Sequence, residues 1–192
     1  VSRGLGDVYK RQDLPGCGFS DKSTIDYSIY MYALAVNDFV KNRILRHHDT
    51  ATGMHAAAIS TSSAILICAA LTAPKLYSGL SFINPQAMET TYCNPSTKPV
   101  FAKCIRAVYN TPVIGSFMYN LKYNRAAIMD RLSKVSGLEV AQKNELADSM
   151  YEAAHTGGYY GRFLLASIHG NLLNSDIARM LSKLSTPIPV SY

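Results

Sequence analysis

From Ala56 to Ala73 the chain carries no charged residue, and this stretch constrains the fold more than any other. It holds Ser60, Thr61, Ser62, Ser63 and Thr72, and it stops at Pro74-Lys75. A membrane span needs about 20 predominantly apolar residues. The run reads instead as a buried strand over residues 54–59 followed by a buried helix from Ser62 to Thr72. Its neighbours repeat the scheme. Between Ile29 and Leu45, Met31, Leu34, Ala35, Phe39, Val40 and Ile44 recur at helical spacing, and His47-His48-Asp49-Thr50 closes that helix. Leu80-Ser81-Phe82-Ile83 is a second short strand, stopped by Asn84-Pro85. Helix, strand, helix, strand in such short steps predict a parallel α/β sheet.

Past Pro85 the pattern changes. Residues 86 to about 173 give helical periodicity rich in tyrosine, broken at Pro95, Pro99, Pro112, Gly115 and Gly157-Gly158, with no strand. Asn174 or Ser175 then caps a helix through Leu184, and Thr186-Pro187-Ile188-Pro189-Val190 begins a strand that returns to the sheet. There is no internal repeat.

With 48% hydrophobic and 17% charged residues, the chain is neither disordered nor of low complexity. Cys17, Cys68, Cys93 and Cys104 show no CxxC pairing and no histidine at metal-ligand spacing. A structural zinc site and a disulfide scaffold are therefore not expected, and a reducing, cytoplasmic compartment is. No metal and no cofactor is expected. Gly16-x-Gly18 lacks the third glycine and the Lys-Ser/Thr ending of a phosphate cradle. Val1 to Gln12 lacks the apolar core of a cleavable signal peptide.

Residues 2–12 are similar to something other than a protein domain. Ser2-Arg3-Gly4-Leu5-Gly6-Asp7-Val8-Tyr9-Lys10-Arg11-Gln12 resembles the in-frame translation of a transposase-based sequencing adaptor. On that reading residues 1–12 are a non-native tail, and the natural polypeptide begins near Asp13, part-way through a domain. Val190-Ser191-Tyr192 is open to two readings, the same adaptor on the opposite strand or the body of a buried strand. Dropping Arg3, Lys10, Arg11 and Asp7 lowers the formal charge of +6 by two, to +4. The remaining basic residues are scattered, so neither nucleic acid nor a membrane is an expected partner.

The segment that carries chemistry is Ala58-Ile59-Ser60-Thr61-Ser62, between a strand and a helix. A serine on a sharp strand-to-helix turn presents its hydroxyl at the carboxyl edge of the sheet, where the next backbone N–H and the helix N-terminus favour an oxyanion. Such a turn needs small residues two before and two after the serine, normally glycines; here they are Ala58 and Ser62. Ser/Thr runs at helix starts are also ordinary caps.

The surroundings of this segment are similar to a known family. Asp13-Leu14-Pro15-Gly16-Cys17-Gly18-Phe19-Ser20 resembles the D-x-P-G-x-G-x-S loop of α/β-hydrolase-fold proteins. Tyr27, Met31, Ala35 and Asp38-Phe39 are similar to the family's next helix, and Leu80-Ser81-Phe82-Ile83-Asn84-Pro85 to the strand after its nucleophile helix. The resemblance covers residues 13–85 and, more loosely, 174–190. It implies a partial α/β-hydrolase fold, a parallel sheet with flanking helices carrying a helical cap insertion. Residues 13–85 would be core, 86–173 the cap, and 174–192 a truncated return to the core. It further implies that Ser60 is the catalytic nucleophile and that the Thr61 N–H forms part of the oxyanion hole. The other oxyanion donor would lie before Asp13, the acid after the strand at Ile188, and the histidine beyond Tyr192.

The implied activity is hydrolysis of an ester or similar small acyl substrate through an acyl-enzyme, with this chain alone inactive for want of acid and histidine. Relatives that use an aspartate nucleophile are disfavoured by Ser60. The alternative is a non-catalytic small-molecule-binding protein on the same scaffold, since fold does not fix function. The oligomeric state is open. Chain order also allows Ser60 with Asp130 and His155, or Glu89 with His155 or His169, all within the helical insertion. His47, His48 and His155 otherwise read as helix-end residues near the negative dipole end, and His55 as a strand histidine. Tyr109, Tyr119, Tyr123, Tyr151, Tyr159 and Tyr160 are expected mainly to pack the cap, with one or two lining an acyl pocket. Cys17 reads as an inert thiol, and Met118 and Met129 as core.

Overall fold

The computed structural model describes residues 10–46, 53–86 and 99–184. Within them the chain is an α/β protein with a two-stranded parallel sheet. Strand β1 (Met54–Ile59) pairs with β2 (Tyr77–Ile83) from Ala56↔Leu80 to Ile59↔Ile83. Helix α1 (Ile29–Phe39) precedes β1, and α2 (Ser62–Thr72) makes the crossover between the strands. Parallel strands need such a crossover.

Alternation sorts β1 cleanly. Ala56 and Ala58 are buried while His55, Ala57 and Ile59 are exposed. Ala56, Ala58, Leu80 and Phe82 form the inner face, and α2 packs between it and α1. Every residue from Ser63 to Ala70 is therefore buried, with Ala64, Ala69 and Ala70 short enough to let the neighbours approach. Asn37 of α1 is the polar joint of this core. Its amide donates to Ala69 O (3.0 Å) and Thr72 Oγ1 (2.9 Å), and its carbonyl accepts from Tyr77 Oη (2.7 Å).

The Asp13–Ser20 loop is closed by its own motif residues. The Asp13 carboxylate accepts from Phe19 N (3.1 Å), and Ser20 Oγ donates to Asp13 O (2.7 Å). Gly16 sits at φ +82° against the Tyr27 ring, where any Cβ would overlap it. Tyr32 Oη donates to Pro15 O (2.8 Å) and so ties the loop to α1.

After residue 98 the described chain is helical: α3 (Pro99–Asn110), α4 (Pro112–Tyr123), α5 (Arg125–Ser133), α6 (Val140–His155), α7 (Gly161–His169) and α8 (Ile177–Leu181). Helix α3 packs on α7, and α5 on α6 around a small core of Ile128, Leu132 and Ala147. The layer joins the sheet region through Ser167 Oγ, which accepts from Tyr27 N (2.9 Å).

Three expectations need correction. The helix expected to run from Ile29 to Leu45 changes to a π-helix at Val40–Leu45; the wider turn keeps Ile44 and Leu45 packed on the core that buries Val40. Gly115 does not break a helix. It lies inside α4, where a side chain would overlap the Tyr109 carbonyl, so the glycine lets the end of α3 pass. The late helix is α8, capped by Asp176 accepting from Arg179 N (3.0 Å) rather than by Asn174 or Ser175. The expected strand at 186–190 and the adaptor-like residues 2–9 lie outside the described residues, as do Pro95, Cys93, His47 and His48. No described helix is long and apolar enough to cross a membrane.

Among the described residues β1 pairs with β2 alone, and Ile59 (62%) and Ile83 (50%) stand exposed on the outer face. Val113, Phe117 and Leu121 add an uncovered apolar stripe on α4. Bare strand edges and apolar faces template association. The purified 192-residue chain is expected to aggregate or to melt without cooperativity; a monodisperse light-scattering profile with a sharp melt contradicts this.

Candidate functional site

Register places the site. Because Ile59 and Ile83 are partners, the next residues of both strands, Ser60 and Asn84, leave the sheet at the same carboxyl edge. Both are left-handed, Ser60 at φ +56° and Asn84 at φ +47°. For a serine this costs about 1–3 kcal/mol and persists only where the surroundings impose it. They do so here. Ser60 N–H donates to Ile83 O (2.9 Å), and Ser60 O accepts from Ser63 N (3.1 Å) and Gln86 N (3.3 Å). Ser62 Oγ donates to Ile59 O (2.8 Å) and accepts from Ile59 N (3.2 Å). Ser62 is therefore more than a small substitute for glycine, since its hydroxyl locks the turn.

The hydroxyls do not act as ordinary caps. Thr61 is the N-cap of α2 with φ −66° and ψ −23°, and its side chain makes no cap hydrogen bond. Ser60 Oγ, half-buried, donates to Gln86 Oε1 (3.2 Å). Among the described residues the Thr61 N–H has no acceptor. At a helix N-terminus, a free N–H beside a hydroxyl is the arrangement that can receive a developing oxyanion. The sequence marks Asn84 only as part of the Asn84-Pro85 stop after the second strand, and it leaves Gln86 unmarked. The one signal for them is Asn-Pro, which marks a turn able to fold Gln86 back onto Ser60.

The described residues assemble no base on Ser60. Asp130 is exposed and paired with Lys134 (2.9 Å) on its own helix. His155 bonds Tyr151 O through Nδ1 (2.9 Å) and lies among the rings of Tyr119, Tyr151 and Tyr159. His169 is buried, stacked on Tyr109, with Nε2 3.2 Å from Lys122 Nζ. The chain orders that join Ser60 to Asp130 and to these histidines are thus not realised among the described residues, and Glu89 lies outside them. No group of three or more His, Cys, Asp or Glu residues that could hold a metal occurs among the described residues.

Tyr109, Tyr119 and Tyr123 pack between helices, whereas Tyr151, Tyr159 and Tyr160 are exposed. Tyr119 Oη donates to Ala154 O (2.7 Å), joining α4 to α6, and the Tyr123 ring lies tilted beside Tyr119 under Arg131. His55 bonds Ser81 Oγ across the strands (2.9 Å), over Gly79. Cys17 sits 4.0 Å from Tyr32 Oη, and burial pushes its thiol up, which keeps it protonated. Met129 packs on the Ile128 core. A mostly apolar cavity of about 1120 Å³ runs along the free edge of β1. Val36 and Phe39 of α1, together with Ile44, Ala57 and Leu66, wall it, and it ends beside Ile59 and Ser62.

Burial, then the neighbouring Lys122 charge, lowers the His169 pKa from its ordinary 6.5. The folded state therefore holds His169 neutral, while the unfolded chain takes up a proton as pH falls through 6.5. Stability from this residue is complete above that pH and is lost below it. For the product of the whole reading frame, the melting midpoint is expected to fall from pH 7 to pH 5 more steeply than for His169→Gln. Equal slopes contradict the assignment.

No protein-family model matches the chain, and no curated protein matches it. What the fold and site define is an α/β protein with a serine on a left-handed strand-to-helix turn at the carboxyl edge of a parallel sheet.

Proposed function

We propose that this chain is the nucleophile-bearing part of a serine hydrolase of the α/β-hydrolase fold, acting on an ester or similar small acyl substrate. The observation that carries the reading is the left-handed Ser60, held beside the open Thr61 N–H at the start of α2. In this mechanism Ser60 Oγ attacks the acyl carbonyl and its proton passes to a histidine. The Thr61 N–H donates to the oxyanion, and the leaving alcohol or amine departs with the proton. Water then releases the acid from the acyl-enzyme. The acid is proposed after residues 186–190, which the sequence predicts as a strand, the histidine further on, and the second oxyanion donor before Asp13. Residues 86–173 act as the cap over the acyl group. Cys17, Cys68 and Cys104 are free thiols, which favours a cytoplasmic setting.

A second reading, a non-catalytic small-molecule-binding protein on the same scaffold, is favoured by the engagement of the Ser60 hydroxyl with an amide instead of a base. Reading the gene across both flanks separates the two. An acid after Ile188, a histidine near the end and a His-Gly loop upstream support the hydrolase. Loss of the acid or the histidine leaves the binder.

A further inference from the structure

We propose that Lys122 is a covalent acylation site, with His169 as its base and a small acyl phosphate as the acyl donor. The inference is independent of Ser60. Two helix ends meet here: Lys122 is the penultimate residue of α4, and His169 is the last of α7. Lys122 Nζ lies 3.2 Å from His169 Nε2. A lysine ammonium only donates, so Nε2 is the acceptor and the imidazole proton sits on Nδ1. Burial and stacking on Tyr109 hold the ring in that orientation. Lys122 itself is exposed, so a small molecule in solution reaches its amine.

A lysine attacks only as the neutral amine. Desolvation, and then the Arg131 charge, lower the Lys122 pKa from its ordinary 10.5. The neutral amine keeps one N–H on Nε2 and turns its lone pair outward. His169 is neutral in the folded protein, its own pKa being lowered, so it is ready to take a proton. In the step, Nζ bonds to the acyl carbon and the bond from that carbon to the phosphate oxygen breaks. The Nζ proton passes to Nε2 and on to the departing phosphate, leaving an amide on Lys122. The donor class follows from Arg131. Its Nη2 donates to Lys122 O (2.9 Å), its Nε donates to Ala127 O (3.2 Å), and its Cζ stands 5.2 Å over the Tyr123 ring. These contacts fix a positive charge beside Lys122, where it favours a phosphate-bearing donor over a neutral one.

The test is acetylation of the product of the whole reading frame by acetyl phosphate, with the rate at each lysine read by peptide mass spectrometry. Lys122 is expected to react about tenfold faster than the exposed Lys75 and Lys103, a fraction of what a base supplies inside an enzyme site. That advantage is expected to vanish in urea. His169→Gln keeps an acceptor for the amine but takes no proton near neutral pH. It is expected to bring Lys122 down to the rate of Lys75 while its far-UV circular dichroism stays that of wild type. Arg131→Gln is expected to slow Lys122 about threefold, the scale of one exposed charge interaction. A Lys122 rate in folded wild type no higher than those of Lys75 and Lys103 overturns the site, whatever the variants do. A wild-type rate in folded His169→Gln overturns the base, and one in Arg131→Gln overturns the choice of donor.

Discussion

Ester turnover by the product of the whole reading frame is expected to fall on the order of 10⁵-fold when Ser60 is replaced by alanine. On the proposed mechanism this substitution removes the covalent route, and the remaining rate comes from binding and the oxyanion donor alone. The substitution is also informative structurally. Alanine cannot make the bond to Gln86, yet the three backbone hydrogen bonds of residue 60 persist, so the turn keeps its supports. Circular dichroism and the melting midpoint of Ser60→Ala should match wild type within about 1 kcal/mol of stability. Retention of turnover in Ser60→Ala excludes Ser60 as the nucleophile.

The second large effect is on stability. Asn37→Leu is expected to destabilise the same protein by about 3 kcal/mol, because it removes the acceptor of Tyr77 Oη inside the core and two donors to the end of α2. Burial pushes the Tyr77 phenol up to about 12, so it remains an O–H that needs an acceptor. Tyr77→Phe in the Asn37→Leu background should then recover part of the loss, by removing the orphaned hydroxyl. That sign is the opposite of its effect in wild type, where the phenol is satisfied. Denaturant titration of the four proteins reads this coupling directly. Additive losses contradict a shared network.

The elements around the site were legible because local rules coincide there. A short small-apolar run up to Ile59, a Ser/Thr turn, and a run ending at Pro74 define β1 and α2 with the limits found, and β2 extends the expected strand only from Leu80 back to Tyr77. The failures have physical causes. The apolar spacing from Phe39 to Leu45 suits an α-helix and a π-helix alike, so the change of winding is invisible without the core it serves. A glycine is read as a breaker, yet Gly115 serves close approach, which depends on where α3 ends. Asn174, Ser175 and Asp176 are three consecutive cap formers, and geometry selects the last.

At the site itself, the strand–turn–helix placement of Ser60 and Thr61 follows from the sequence, while the contact with Gln86 does not. It joins residues 26 apart through the register of a parallel pair, and no local pattern encodes that. Asn37 is opaque to the sequence for the same reason: on α1 it reads as one polar residue in an amphipathic helix, and its partners on α2 and β2 make it structural.

On the proposed function, the left-handed turn makes Ser60 an acyl-accepting nucleophile. The most direct measurement of that role is peptide mass spectrometry of the whole reading frame's product after reaction with a fluorophosphonate. A phosphonate adduct on Ser60, abolished by prior heat denaturation and absent from Ser60→Ala, is the expected result. An unmodified Ser60 in folded protein, or an adduct on a different residue, contradicts it.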